Sequence, residues 1–160
     1  MVPGPGPRVL PVHGGLVGTP ISYEVAFAGI VRGFAERGAQ LIVVPTNTSS
    51  YGPDAPVAEQ ELQLTRLRAV ELGLWVIQAA PSGISAIVDP AGRIVERTDL
   101  YEAAILTGEV RLGESNTLFV RWGEGSTMLA AVAAVLLAIS PSVRLRMRRH
   151  SDPRKRRSSR

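Results

Sequence analysis

An α/β fold built on parallel strands is predicted for this chain, and three observations predict it. First, between Gly18 and Gly52 a short apolar run ends at Ile21-Ser22-Tyr23-Glu24 and a helical pattern follows from Val25 to about Arg37. A second apolar run, Leu41–Val44, then ends in the polar cluster Pro45-Thr46-Asn47-Thr48-Ser49-Ser50. Strand, turn, helix, strand, turn is the βαβ pattern of a parallel sheet. Second, Pro56 suits the first turn of a helix that Gly73 would end, so another helix is predicted up to Leu72. Third, Asp89-Pro90-Ala91-Gly92 reads as a β-turn between two further strands. In such sheets chemistry gathers where strands end and helices begin. The turns at Ser22–Glu24 and Asn47–Tyr51 are therefore the places to look.

Taken in order, Met1–Arg8 is a Pro/Gly run unfit for helix or central strand. It has no charged start ahead of an apolar core, so it is not expected to be a signal peptide. Val9–Val12 is expected as an edge strand, with Gly14-Gly15 turning into a strand over Leu16–Ser22. In the first helix Val25, Ala28, Ile30, Val31, Phe34 and Ala35 make the apolar face; Glu36 and Arg37 point outward and Gly38 stops it. Four strands are expected after the second helix: Leu74–Ala80, Ile84–Val88, Arg93–Arg97 and Ala104–Val110.

The 160 residues suffice for one modest domain, and a 45% hydrophobic content can form a core. The absence of cysteine removes disulfides, thiolate nucleophiles and cysteine-ligated zinc together. The two histidines, His13 and His150, lie in flanking segments, so neither a metal nor a cofactor is expected. Nine of the 18 basic residues and one of the 14 acidic ones lie from Arg144 onward, which leaves +8 in the tail and −4 in the rest. A basic tail can bind nucleic acid, but its position after an apolar segment favours contact with anionic lipid, and no nucleic-acid partner is expected. That segment, Gly125–Val143, is 19 residues without a formal charge. As a helix it would span roughly 28 Å, near the ~30 Å of hydrocarbon. With arginines following, it is expected to be one transmembrane helix with its tail in the cytoplasm, a buried soluble helix being the alternative. Ser126, Ala130, Ala134 and Ala138 make a small-residue stripe that could meet other membrane helices. The expected organisation is an α/β domain over 1–124, a span over 125–143 and a basic tail over 144–160.

The strand-to-turn ISYE, the loop TN-x-SS-YG, the helix segment RLRAVE and the strand–turn GISAIVDPAGRIV together resemble a known family. They look like the second half of a carbon–nitrogen hydrolase, or nitrilase-like, α-β-β-α sandwich. With a terminal membrane helix, the resemblance narrows to apolipoprotein N-acyltransferases of an actinobacterial type. It implies acyl transfer from a phospholipid to the N-terminal cysteine amine of a lipoprotein. It also implies a place in the bacterial cytoplasmic membrane with the α/β body outside. The family's nucleophile is a cysteine in a C-Y-E turn; Ser22 stands at that position. No part of the chain matches the motifs of the family's catalytic Glu and Lys. A truncated or degenerate member is expected, with no acyl transfer by the chain alone. The alternative is a non-catalytic, membrane-anchored interaction module.

By the resemblance, Ser22 and Glu24 are the catalytic candidates, and Tyr23, Asn47, Ser49, Ser50 and Tyr51 flank the acyl pocket. Each also has a plain structural reading. A serine hydroxyl needs an adjacent base to act as a nucleophile and otherwise serves as a cap or buried donor. A glutamate in a first turn suits the helix dipole, Tyr23 can simply pack, and Asn and Ser favour turns through local hydrogen bonds. Arg68 and Glu71, three apart on one helix, are expected as a structural ion pair.

Overall fold

The computed structural model describes residues 6–52, 56–123 and 125–139. The chain divides into two units, Met1–Gly123 and Glu124–Arg160. In the first, six strands form one sheet in sequential order: β1 (Val9–Val12), β2 (Gly15–Gly18), β3 (Leu41–Pro45), β4 (Val76–Ala79), β5 (Ala86–Val88) and β6 (Ile94–Arg97). The centre is parallel, with Val17 opposite Leu41 and Ile42 opposite Val76; β1, β5 and β6 join antiparallel. The parallel joins need crossovers, and α1 (Ala28–Ala35) and α2 (Val57–Leu72) supply them.

Both helices bury their apolar faces on one side of the sheet. Val31 and Phe34 of α1 and Leu62, Ala69 and Leu72 of α2 close over Ile42, Val44, Val76 and Val88. Burying each large aliphatic side chain contributes about 1.5–3 kcal/mol, so this layer holds the strand ends in place. Gly73, with φ of 65°, ends α2 in the left-handed conformation that glycine adopts without steric cost. A short helix, α3 (Leu118–Trp122), is tied to α2 by Thr117, whose hydroxyl donates to the Glu71 carbonyl at 2.5 Å.

Three expectations need correction. The first predicted helix begins later: Ser22–Ala26 forms a 3-10 turn, and extended backbone at Phe27 separates it from α1. The β2 strand stops at Gly18, just before Thr19 and Pro20, a residue with no N–H to give a ladder. Residues 104–110 form no strand; Gly108 lies against the Ile87 side chain, where a β-carbon would come within 2.9 Å of it.

The transmembrane expectation is overturned as well. In the second unit the helix α4 covers Gly125–Ile139, 15 residues, or roughly 22 Å at 1.5 Å per residue against ~30 Å of hydrocarbon. Among the described residues no helix is long and apolar enough to cross a membrane. Of the small-residue stripe, Ala130 and Ala134 are exposed on α4. Residues 140–143 and the basic tail lie outside the described residues.

Candidate functional site

The 3-10 turn that carries Ser22 is pinned from below. Val25 is fully buried, and Arg68 of α2 donates from Nε to the Val25 carbonyl at 2.9 Å and from Nη2 to the Ala26 carbonyl at 3.3 Å. The same guanidinium pairs with Glu71, as expected. A buried arginine with three acceptors is well compensated, so the turn is rigidly placed. Ser22 itself has φ of 50°, a left-handed conformation uncommon for a residue with a β-carbon. Such backbone persists only where the surroundings hold it, and it is concentrated at functional turns.

The half-buried Ser22 hydroxyl meets one partner from the sheet. Thr46, at the end of β3, has its Oγ1 3.2 Å from Ser22 Oγ and 2.6 Å from Glu61 Oε1. A threonine hydroxyl carries one proton. Given to the nearer carboxylate, it leaves Ser22 as the donor across the longer gap. Glu61 is 2% exposed, and its Oε2 has no hydrogen-bond partner among the described residues. Burial pushes the Glu61 carboxyl above its ordinary value, and the Thr46 hydrogen bond offsets only part of that.

The expected site residues separate. Glu24 turns back on its own turn, its Oε2 accepting from Ile21 N–H at 2.8 Å, and is exposed. No bond joins it to the Ser22 hydroxyl. The exposed ring of Tyr23 stacks edge-on against Phe27, centroids 6.3 Å apart. Asn47 Oδ1 accepts from the Ser49 N–H at 3.0 Å and from the Ser82 hydroxyl at 3.4 Å, which ties its loop to the β4–β5 connection. Ser49 and Ser50 are exposed, while Tyr51 lines a small recess with Thr48, Val57, Leu100 and Tyr101. A larger cleft of about 380 Å³ opens beside the turn, lined by Arg8, Thr19, Glu24, Ile30 and Phe34. Sequence reasoning missed Thr46 and Glu61. The signal was the buried stripe of α2, where Glu61, Thr65 and Arg68 fall in helical register with Ala58, Leu62, Ala69 and Leu72.

A sheet with helices packed on one face, and a left-handed hydroxyl-bearing turn at its strand ends, defines the class. The chain belongs to the carbon–nitrogen hydrolase family, whose model matches residues 1–118. Among its relatives are the apolipoprotein N-acyltransferase of Mycolicibacterium smegmatis, 34% identical over 86% of this chain, and that of Gloeobacter violaceus, 40% identical over 76%. The chain spans 23% of the length of each. The amidase of Nesterenkonia AN1, from the nitrilase superfamily, superposes with a TM-score of 0.52 at 34% identity, over 62% of this chain and 40% of that one. One structure of that amidase bears an adduct at its active-site cysteine. The kinship expected from ISYE, RLRAVE and GISAIVDPAGRIV is thus borne out.

Proposed function

We propose that this chain is the nucleophile-bearing part of an acyltransferase of the apolipoprotein N-acyltransferase kind, with Ser22 the residue that carries the acyl group. The observation that carries the reading is the left-handed Ser22, whose hydroxyl is held by Thr46 at a strand end of a carbon–nitrogen hydrolase fold. In the first half-reaction Ser22 Oγ attacks the ester carbonyl of a phospholipid, and the lysophospholipid oxygen leaves with a proton. In the second, the α-amine of a lipoprotein's N-terminal cysteine takes the acyl group and Ser22 regains its proton. Tyr23, Tyr51 and the Asn47–Ser50 loop border the acyl chain, and Glu24 keeps the turn in shape. A phospholipid donor places the work at a membrane surface.

Oxyanion stabilisation needs a cation or aimed donors. The one lysine, Lys155, lies outside the described residues. Turnover onto an acceptor peptide is therefore not expected from these residues by themselves. The test uses protein purified from its native cells and incubated with acyl-labelled phospholipid. An ester on the Ser22 peptide, absent in Ser22→Ala, is expected. Label on the protein that survives Ser22→Ala would overturn the reading.

A further inference from the structure

We propose that Glu61 is the proton acceptor for Ser22, acting through the Thr46 hydroxyl. This rests on the reading of Ser22 as the acyl-carrying residue and deepens it. In the family resemblance the base is a glutamate whose motif has no match in this chain; the structure offers a different carboxylate, from α2. Three atoms carry the inference: Ser22 Oγ, Thr46 Oγ1 at 3.2 Å, and Glu61 Oε1 a further 2.6 Å on. The serine end is half-buried and reachable, and the carboxylate end is sealed.

A buried carboxylate oxygen without a donor is costly and calls for an explanation. A structural glutamate would do better as leucine in this stripe, between Ala58 and Leu62. The neighbouring charges leave Glu61 alone. Glu24 in the 3-10 turn bonds Ile21, Arg68 and Glu71 bond each other, Glu59 faces Gln63 and Arg97 of β6, and Arg32 of α1 pairs with Glu36. Glu61 therefore bonds Thr46 and nothing else among the described residues. Burial also raises its proton affinity, which moves a carboxylate toward the range where a general base works best.

The proton moves in two short steps. As Ser22 Oγ bonds to an acyl carbon, its proton passes to Thr46 Oγ1 and the Thr46 proton passes to Glu61 Oε1. When the acyl carbon–oxygen bond of the donor breaks, the leaving oxygen takes a proton from Thr46, which regains one from Glu61. Charge and protons balance with no further reactant. Glu61 is a positioning residue that holds the proton, and Thr46 is the group that touches the reacting atom.

A fluorophosphonate probe isolates this step, because it brings its own leaving group. Ser22 Oγ bonds to phosphorus, fluoride leaves, and the proton stays on Glu61. The full chain is labelled across pH and the modified residue is located by mass. Labelling at Ser22 is expected to rise with pH on a limb above the ordinary carboxylate range. Glu61→Gln and Thr46→Val should each lower the rate roughly 100-fold, the scale of a general base, and flatten that limb. Thr46→Ser, which restores the hydroxyl, should return it to within about threefold. Ser22-dependent labelling that is unchanged in Glu61→Gln, or a limb that survives Thr46→Val, overturns the relay and leaves Ser22 as the acyl carrier. No labelling at Ser22 in a chain with intact circular dichroism overturns both. Should Glu61→Gln fail to fold, the wild-type limb and the Thr46 pair still decide the matter.

Discussion

Among the described residues two carboxylates are buried, Glu61 and Asp89, and their surroundings treat them oppositely. Asp89, in the β5–β6 turn, accepts from Ala91 N–H and Arg93 N–H at Oδ1, both 2.9 Å, and from Arg93 Nε at Oδ2, 2.7 Å. Burial alone would raise its proton affinity, but those donors and the arginine's charge outweigh it and hold the carboxyl below its ordinary value. Glu61 has one hydroxyl and a bare oxygen, and burial wins. The contrast teaches what each is for. A turn acid with donors on both oxygens is structural, whereas an acid left short of donors is available for proton chemistry.

The largest effect is expected at the satisfied acid. Asp89→Ala strips acceptors from two backbone N–H groups and the Arg93 side chain, at a turn that α2 also grips through Arg66 Nε and the Gly92 carbonyl. A loss of about 2–3 kcal/mol is expected, read as a lower urea midpoint with unchanged slope. A loss below about 0.5 kcal/mol would be surface-like behaviour and would erase the contrast.

Glu61→Gln should act in the other direction and by less. Gln keeps the shape and removes the buried charge, so a gain of about 1 kcal/mol is expected at neutral pH. The pH dependences sharpen the point. Glu61 has its folded value raised, so its contribution is fully present below its unfolded value near 4.5 and is lost as pH rises through the folded value. Asp89 has its folded value lowered, so its contribution holds above 3.8 and is lost as pH falls through the folded value. Denaturation across pH should therefore show Glu61→Gln gaining on wild type toward neutral pH, and Asp89→Ala drawing level with it in acid.

How much of this was legible in the sequence differs between the two acids for a physical reason. Asp89 speaks through its neighbours: Asp-Pro-Ala-Gly dictates a turn locally, and Gly92 takes the positive φ that the turn requires. The βαβ centre, the α2 stop at Gly73 and the Arg68–Glu71 pair were legible on the same grounds, as spacing within one element. Glu61 does not speak locally. In Ala58-Glu59-Gln60-Glu61 it resembles an exposed helix face, and it is tertiary packing, with Thr46 from the end of β3 brought against it, that buries it. The C-terminal helix failed differently. Composition over Gly125–Val143 suggested a span, but helix length is set by backbone hydrogen bonding, and the described helix ends at Ile139.

The smallest effect belongs to a third carboxylate, Glu24, which the family resemblance made a catalytic candidate. It stays in water and accepts one bond, from Ile21 N–H at 2.8 Å, across a turn whose Glu24 N–H donates back to the Ile21 carbonyl at 3.1 Å. Glutamine accepts in the same geometry, and either residue serves at that position of a capped turn. Glu24→Gln should therefore change stability by less than about 0.5 kcal/mol, while Glu24→Ala, which removes the acceptor, should cost about 1 kcal/mol. Fluorophosphonate labelling of Ser22 separates shape from chemistry. If Glu24 only keeps the turn, Glu24→Gln labels at the wild-type rate with the wild-type pH limb. A rate that falls tenfold or more in Glu24→Gln at unchanged stability would make Glu24 the base and shift the proton from the buried acid to the exposed one.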